Sequence, residues 1–181
     1  MSTHPISIQF VAPIADFHSS LWRHHILVSA EYGDPFVEGD NRRVICTLAG
    51  HHKMHASLMP REGDYFILIN KEVRGKLGLE EGDEVEVSLE KDLSEHGMPM
   101  PEELQVMLDQ DLEAAEVFDQ LTPGKKRSLI YLVTKVKSVP SRINKALAIV
   151  DHLKTCGGVL DFKVLNELIK YYNRRNDPRK R

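Results

Sequence analysis

Cysteine is scarce in this 181-residue chain, which has only Cys46 and Cys156. One lies in an alternating apolar stretch and the other beside Gly157-Gly158, so no disulfide framework is expected and both thiols read as reduced. Tryptophan occurs once and aromatic residues make up 7% of the chain. Few of them fall among the basic residues, which leaves little of a stacking platform for bases. Long apolar runs are missing, and nothing approaches the roughly 18 residues of a membrane span. The opening residues, MSTHPISIQF, hold no basic region followed by an apolar core, so no signal peptide is expected and a cytoplasmic location is. A GxSxG elbow, a P-loop, a Gly-rich dinucleotide fingerprint, HExxH and CxxC are all lacking. The expectation is therefore a protein that is not an enzyme and carries no cofactor.

What is present is ordinary globular composition, 41% hydrophobic and 28% charged, organised around residues Tyr65 to Glu90. Tyr65 to Ile69 is an apolar, β-branched and aromatic run of strand type. Asn70 can cap a helix, Glu72 suits its first turn, Val73 and Leu77 share a face, and Gly78 stops it. After a polar turn, Val85, Val87 and Leu89 alternate with Glu84, Glu86 and Glu90, which predicts a half-buried strand. Shifting by 41 positions lays Ile67, Leu68 and Ile69 on Ile26, Leu27 and Val28. The same shift lays Val85, Val87 and Leu89 on Val44, Cys46 and Leu48. Two strand–helical turn–strand copies, 24–48 and 65–89, are expected to bury each other's open faces and close a barrel. Strands are also expected at Ile6 to Val11, at Leu21 to Ser29 with Trp22, and at Met54 to Met59. Pro13 is expected to interrupt the chain between Ala12 and Ser20.

Asn70-Lys71-Glu72-Val73-Arg74, Leu77-Gly78-Leu79 and Gly82-Asp83-Glu84-Val85 resemble the core of AbrB/MazE-like swapped-hairpin proteins. They resemble still more the single-chain double-split barrels of domain of unknown function 1905. The resemblance implies a barrel closed within one chain, and so a monomer.

From Pro101 on, apolar residues recur at helical spacing. Leu104, Met107 and Leu108 mark one face, and Leu112, Ala115, Phe118 and Leu121 a second. Leu129, Leu132, Val133 and Val136 mark a third, followed by Ile143, Ala146, Leu147, Val150 and Leu153. Phe162, Leu165, Leu168, Ile169 and Tyr172 give the last. Pro99 to Leu104, the run Phe118 to Arg127 (FDQLTPGKKR), Lys135 and Arg142-Ile143 resemble the bacteriocin-protection, OmpD-associated family. That family commonly joins this helical module to the barrel above. Its name implies a bacterial accessory role in tolerance of toxic peptides, with no catalytic residues to carry over.

The fold class expected is α+β: a closed double-split β-barrel over 1–92, a linker over 93–100, a helical domain over 101–172 and a basic disordered tail over 173–181. Charge is unevenly placed. Residues 1–100 hold 9 Lys and Arg against 16 Asp and Glu, whereas residues from Thr122 onward hold 15 against 4. Such asymmetry points to an anionic partner, or to neutralisation of one half by the other. Lys125, Lys126 and Arg127 stand where a helix starts, so their charges oppose the dipole and a bound anion would relieve them. With Lys135 and Arg142 they are the anion- or partner-binding candidates. The alternative is nucleic-acid backbone, met by the same segment plus Arg174, Arg175, Arg179, Lys180 and Arg181. His51, His52 and His55, with His24 and His25, are the imidazoles nearest to a metal pattern, but in a turn the ordinary reading is hydrated side chains and no metal. His152 and Cys156 are four apart and would meet only on an unfrayed helix.

Overall fold

The computed structural model describes residues 6–20 and 23–177, so the expectations for Leu21, Trp22, Arg179, Lys180 and Arg181 lie outside the described residues. The chain divides into two compact units, Met1–Leu93 and Ser94–Arg181.

The first unit carries strands β1 (Ser7–Asp16), β2 (His24–Val28), β3 (Arg43–Leu48), β4 (His52–Ser57), β5 (Met59–Arg61), β6 (Asp64–Leu68) and β7 (Glu84–Lys91). Between β2 and β3 lie the short helix α1 (Ala30–Gly33) and a 3₁₀ turn at Asp34–Phe36; between β6 and β7 lies α2 (Lys71–Leu77). The antiparallel sheet runs β4-β3-β7-β1-β2-β6-β5. Alternation sends Val44, Cys46 and Leu48 of β3 and Val85, Val87 and Leu89 of β7 inward, where they meet Ile26, Val28, Phe36, Leu58 and Ile67. Each fully buried side chain of this size contributes about 1.5–3 kcal/mol. Asn70 caps α2 by accepting the Val73 N–H at 2.8 Å. Gly78 ends it at φ +64°, a left-handed angle that favours glycine.

Register carries the 41-residue spacing. In the β2–β6 ladder Ile26 faces Ile67, and in the β3–β7 ladder Thr47 faces Ser88. Antiparallel ladders centred on residues of equal offset are the geometry that a local two-fold relation gives.

The barrel is not closed: the sheet is an open half-barrel whose ends are β4 and β5. These two could close it only by pairing with each other, yet Leu58 alone separates them, and an antiparallel pair needs a turn of at least about two residues. The stretch Met54 to Met59 is thus two strands around a bend. Leu58 is buried there, and its N–H donates to the Arg42 carbonyl at 2.9 Å. Pro13 does not interrupt β1 either. Residues 7–13 of β1 pair with β7 and residues 14–16 with β2, so Pro13 sits at the hand-over, where its missing N–H leaves no ladder bond unmade.

The second unit contains α3 (Glu102–Gln110), α4 (Leu112–Gln120), α5 (Pro123–Thr134), α6 (Val139–Cys156) and α7 (Phe162–Arg175). Its core joins Leu104, Phe118, Leu129, Val133, Ile149, Leu153, Leu165 and Ile169. Leu112 is 76% exposed rather than part of that core, because at the first position of α4 it lies off the face set by Ala114 and Phe118. Asp161 caps α7 through the N–H groups of Lys163 and Val164. That helix runs on through Asn173, Arg174 and Arg175, so the start of the expected tail is helical. Among the described residues no helix is long and apolar enough to cross a membrane.

Candidate functional site

Thr122 accepts the Lys125 N–H and Pro123 occupies the first turn of α5, which places Lys125, Lys126 and Arg127 in the opening turns of a helix with no acidic residue in its first turn. Their surroundings differ. The Lys126 ammonium lies 3.9 Å from an Asp119 carboxylate oxygen and 5.5 Å from the centre of the Phe118 ring. Lys125 and Arg127 make no ion pair among the described residues; Lys125 is exposed and Arg127 half-buried.

The other two predicted cations stand elsewhere. Lys135 lies at the far end of α5, about 15 Å along the axis from Lys125 at 1.5 Å per residue, with its ammonium 5.9 Å from the Tyr131 ring. Arg142 is used internally. Its Nε donates to the Val136 carbonyl at 2.8 Å, and its Nη1 lies 3.7 Å from a Glu103 oxygen. The five predicted residues therefore form an amino-terminal group of three and two separate positions. Lys145, which sequence reasoning missed, feels Lys135: burial first, and then the Lys135 charge, push its ammonium pKa down. Only the packing of α5 on α6 brings those two together, and no local pattern announces it. Of the nucleic-acid alternative's described residues, Arg175 donates to the Tyr171 hydroxyl at 3.1 Å.

The histidines do not converge. His51 Nδ1 lies 2.8 Å from the Ala49 carbonyl. His52 and His55 are three positions apart on β4 and so face opposite sides, with His55 Nδ1 2.8 Å from the Asp92 carboxylate. His25 stacks on Phe17 with ring centres 3.5 Å apart. Among the described residues, the group with metal-ligand spacing is Asp16, His18 and Glu81. Its central carboxylate is already committed, since Asp16 accepts from Arg23 Nε and Nη2 at 3.2 and 3.0 Å and from the His18 N–H at 2.7 Å. Burial pushes the Asp16 carboxyl up, but the His18 N–H, Arg23 and His24 outweigh it and hold it below the usual range.

His152 and Cys156 do not pair. The buried His152 accepts the Asp161 N–H at Nε2, 3.0 Å away, while the Cys156 thiol points to the Leu153 carbonyl at 3.6 Å. Cys46 is fully buried, and burial pushes its thiol up to about 12.

Comparison with known families divides the chain as its folding does. Residues 10–89 match the family model described as domain of unknown function (DUF1905). Residues 98–155 match the model described as bacteriocin-protection, YdeI or OmpD-associated. Among curated proteins none matches the chain.

Proposed function

We propose that this chain is a non-catalytic cytoplasmic binding protein with an accessory role of the bacteriocin-protection kind, and that it meets an acidic protein surface through the start of α5. The observation that carries the reading is the state of Lys125 and Arg127: two cations in the opening turns of a 12-residue helix, without an ion-pair partner among the described residues. Their charge opposes the helix dipole, so an external anion stabilises them. The match of residues 98–155 supports the family setting. Two groups with nucleophilic or base character are set in the core rather than in a cleft: Cys46 is buried, and His152 Nε2 is taken by the Asp161 N–H.

Titration of the full chain with poly-L-glutamate, and separately with mixed single-stranded nucleic acid, at 50 and 200 mM salt tests this reading. Poly-L-glutamate is expected to bind at low salt and to weaken several-fold in the Lys125→Gln, Arg127→Gln double variant. Equal binding by that variant would refute the role of α5. A fall of log K with log salt of about 0.7 per contact on the nucleic acid, with no binding of the peptide, would turn the reading to phosphate backbone.

A further inference from the structure

The first unit is rich in carboxylates, yet one of its pockets has none among its described lining residues. It measures about 520 Å³ and is bounded by Arg23 and His24 at the start of β2, Leu68 and Ile69 at the end of β6, and Lys71 and Arg74 of α2. Strand register assembles it: the Ile69 N–H donates to the His24 carbonyl at 2.9 Å, so the entry to β2 and the exit from β6 lie side by side where α2 begins.

The cations there are not equivalent. Arg23 is tied to Asp16, and His24 Nε2 lies 3.4 Å from the same carboxylate. Lys71 and Arg74 make no ion pair among the described residues; the ion pair on α2 is Lys76 with Glu72. The Nε of Arg74 is shut off from water and has no hydrogen-bond partner. Only the Nη groups of this guanidinium can therefore meet a molecule in the pocket. Glu80 lines the hollow on the other side of Arg74 without making an ion pair to it. Asn70, which also lines the pocket, is occupied as the helix cap, its side-chain oxygen accepting the Val73 N–H.

We propose that this pocket binds a small molecule with one oxyanion head, a carboxylate or a phosphate ester, and a short apolar body. The head accepts from the two Nη–H groups of Arg74, the end-on two-pronged pairing for which a guanidinium is also shaped. The Lys71 ammonium supplies a second charge, and the body lies against Leu68 and Ile69. A single head suffices because Asp16 already holds Arg23 and His24. The volume is within the ordinary range for small-molecule sites.

Calorimetric titration of the full chain with inorganic phosphate, acetate and hexanoate tests the site. Saturable binding of at least one probe is expected, weakened about tenfold or more in Arg74→Gln, the scale of a charge-assisted pair. Lys76→Gln, on the same helix but outside the pocket, is expected to bind as the wild type does. If Arg74→Gln fails to fold, Arg74→Lys keeps the charge, drops the two-pronged donor and is expected to lose a similar factor. Hexanoate binding above acetate and phosphate supports a carboxylate with an apolar body; phosphate binding most tightly supports the ester. No saturable binding of any probe, or binding unchanged in the Arg74 variants, overturns the proposal.

Discussion

Replacing Gly33 by alanine reverses sign with its background. Gly33 ends α1 at φ −86° and ψ −42°, an ordinary helical conformation, so the backbone alone favours alanine by about 1 kcal/mol. Space does not. A Cβ on Gly33 would meet the Tyr65 ring, with Cε2 at 2.7 Å, Cγ at 3.2 Å and Cδ2 nearer still. Carbon atoms at ease stand about 3.5–4.0 Å apart. The ring is pinned, because the Tyr65 hydroxyl donates to Asp34 at 2.8 Å. Gly33→Ala should therefore destabilise the first unit by about 1–3 kcal/mol, the usual cost of overpacking. In a Tyr65→Ala background the obstruction is gone, and the same change should stabilise by up to about 1 kcal/mol. The coupling expected between the two positions is then about 1–4 kcal/mol. Urea titration followed through the amide signals of Ile26 and Ile67, both fully buried, reads this unit alone. A Gly33→Ala chain as stable as wild type, or more so, would refute the reasoning.

Two further outcomes are expected. Burial holds the pKa of His152 below its usual value against the opposing pull of Asp161; the unfolded chain therefore binds the proton first, and the helical unit should lose stability as pH falls below about 6.5. Urea midpoints between pH 7.5 and 5 check this, and the slope should largely vanish in His152→Gln; stability that rises on acidification would contradict it. A thiol reagent should label the half-buried Cys156 in the native chain and reach the fully buried Cys46 only in denaturant, as mass spectrometry of the labelled protein would show; labelling of both at equal rates would contradict the burial argument.

The local devices of this fold were legible in the amino-acid order. The Asn70 cap, the Gly78 stop and the alternation of Val85, Val87 and Leu89 each depend on neighbours within one element. The closure of the sheet was not legible, because it turns on Leu58, an apolar residue in an apolar run whose role as a bend has no local signature. Pro13 misled for a related reason: a proline breaks a strand only where its N–H is needed, and that depends on which strand lies beside it. The same division applies to the sites. Lys125, Lys126 and Arg127 are consecutive, so their grouping could be read directly. Arg23 and Arg74 share a pocket only because β2 pairs with β6, and Lys145 meets Lys135 only because α5 packs on α6.

The hand-over at Pro13 has a consequence for how the chain is made. Seven residues of β1 find their partner only in β7, the last strand of the sheet. At a synthesis rate of about 5–20 residues per second, the ribosome needs about 4–15 s between the two. Throughout that interval Ile8, Phe10 and Ala12 leave the ribosome with no β7 to pair against, and they are as open to a neighbouring nascent chain or to a chaperone as to their own sheet. The first strand made is thus among the last to be secured.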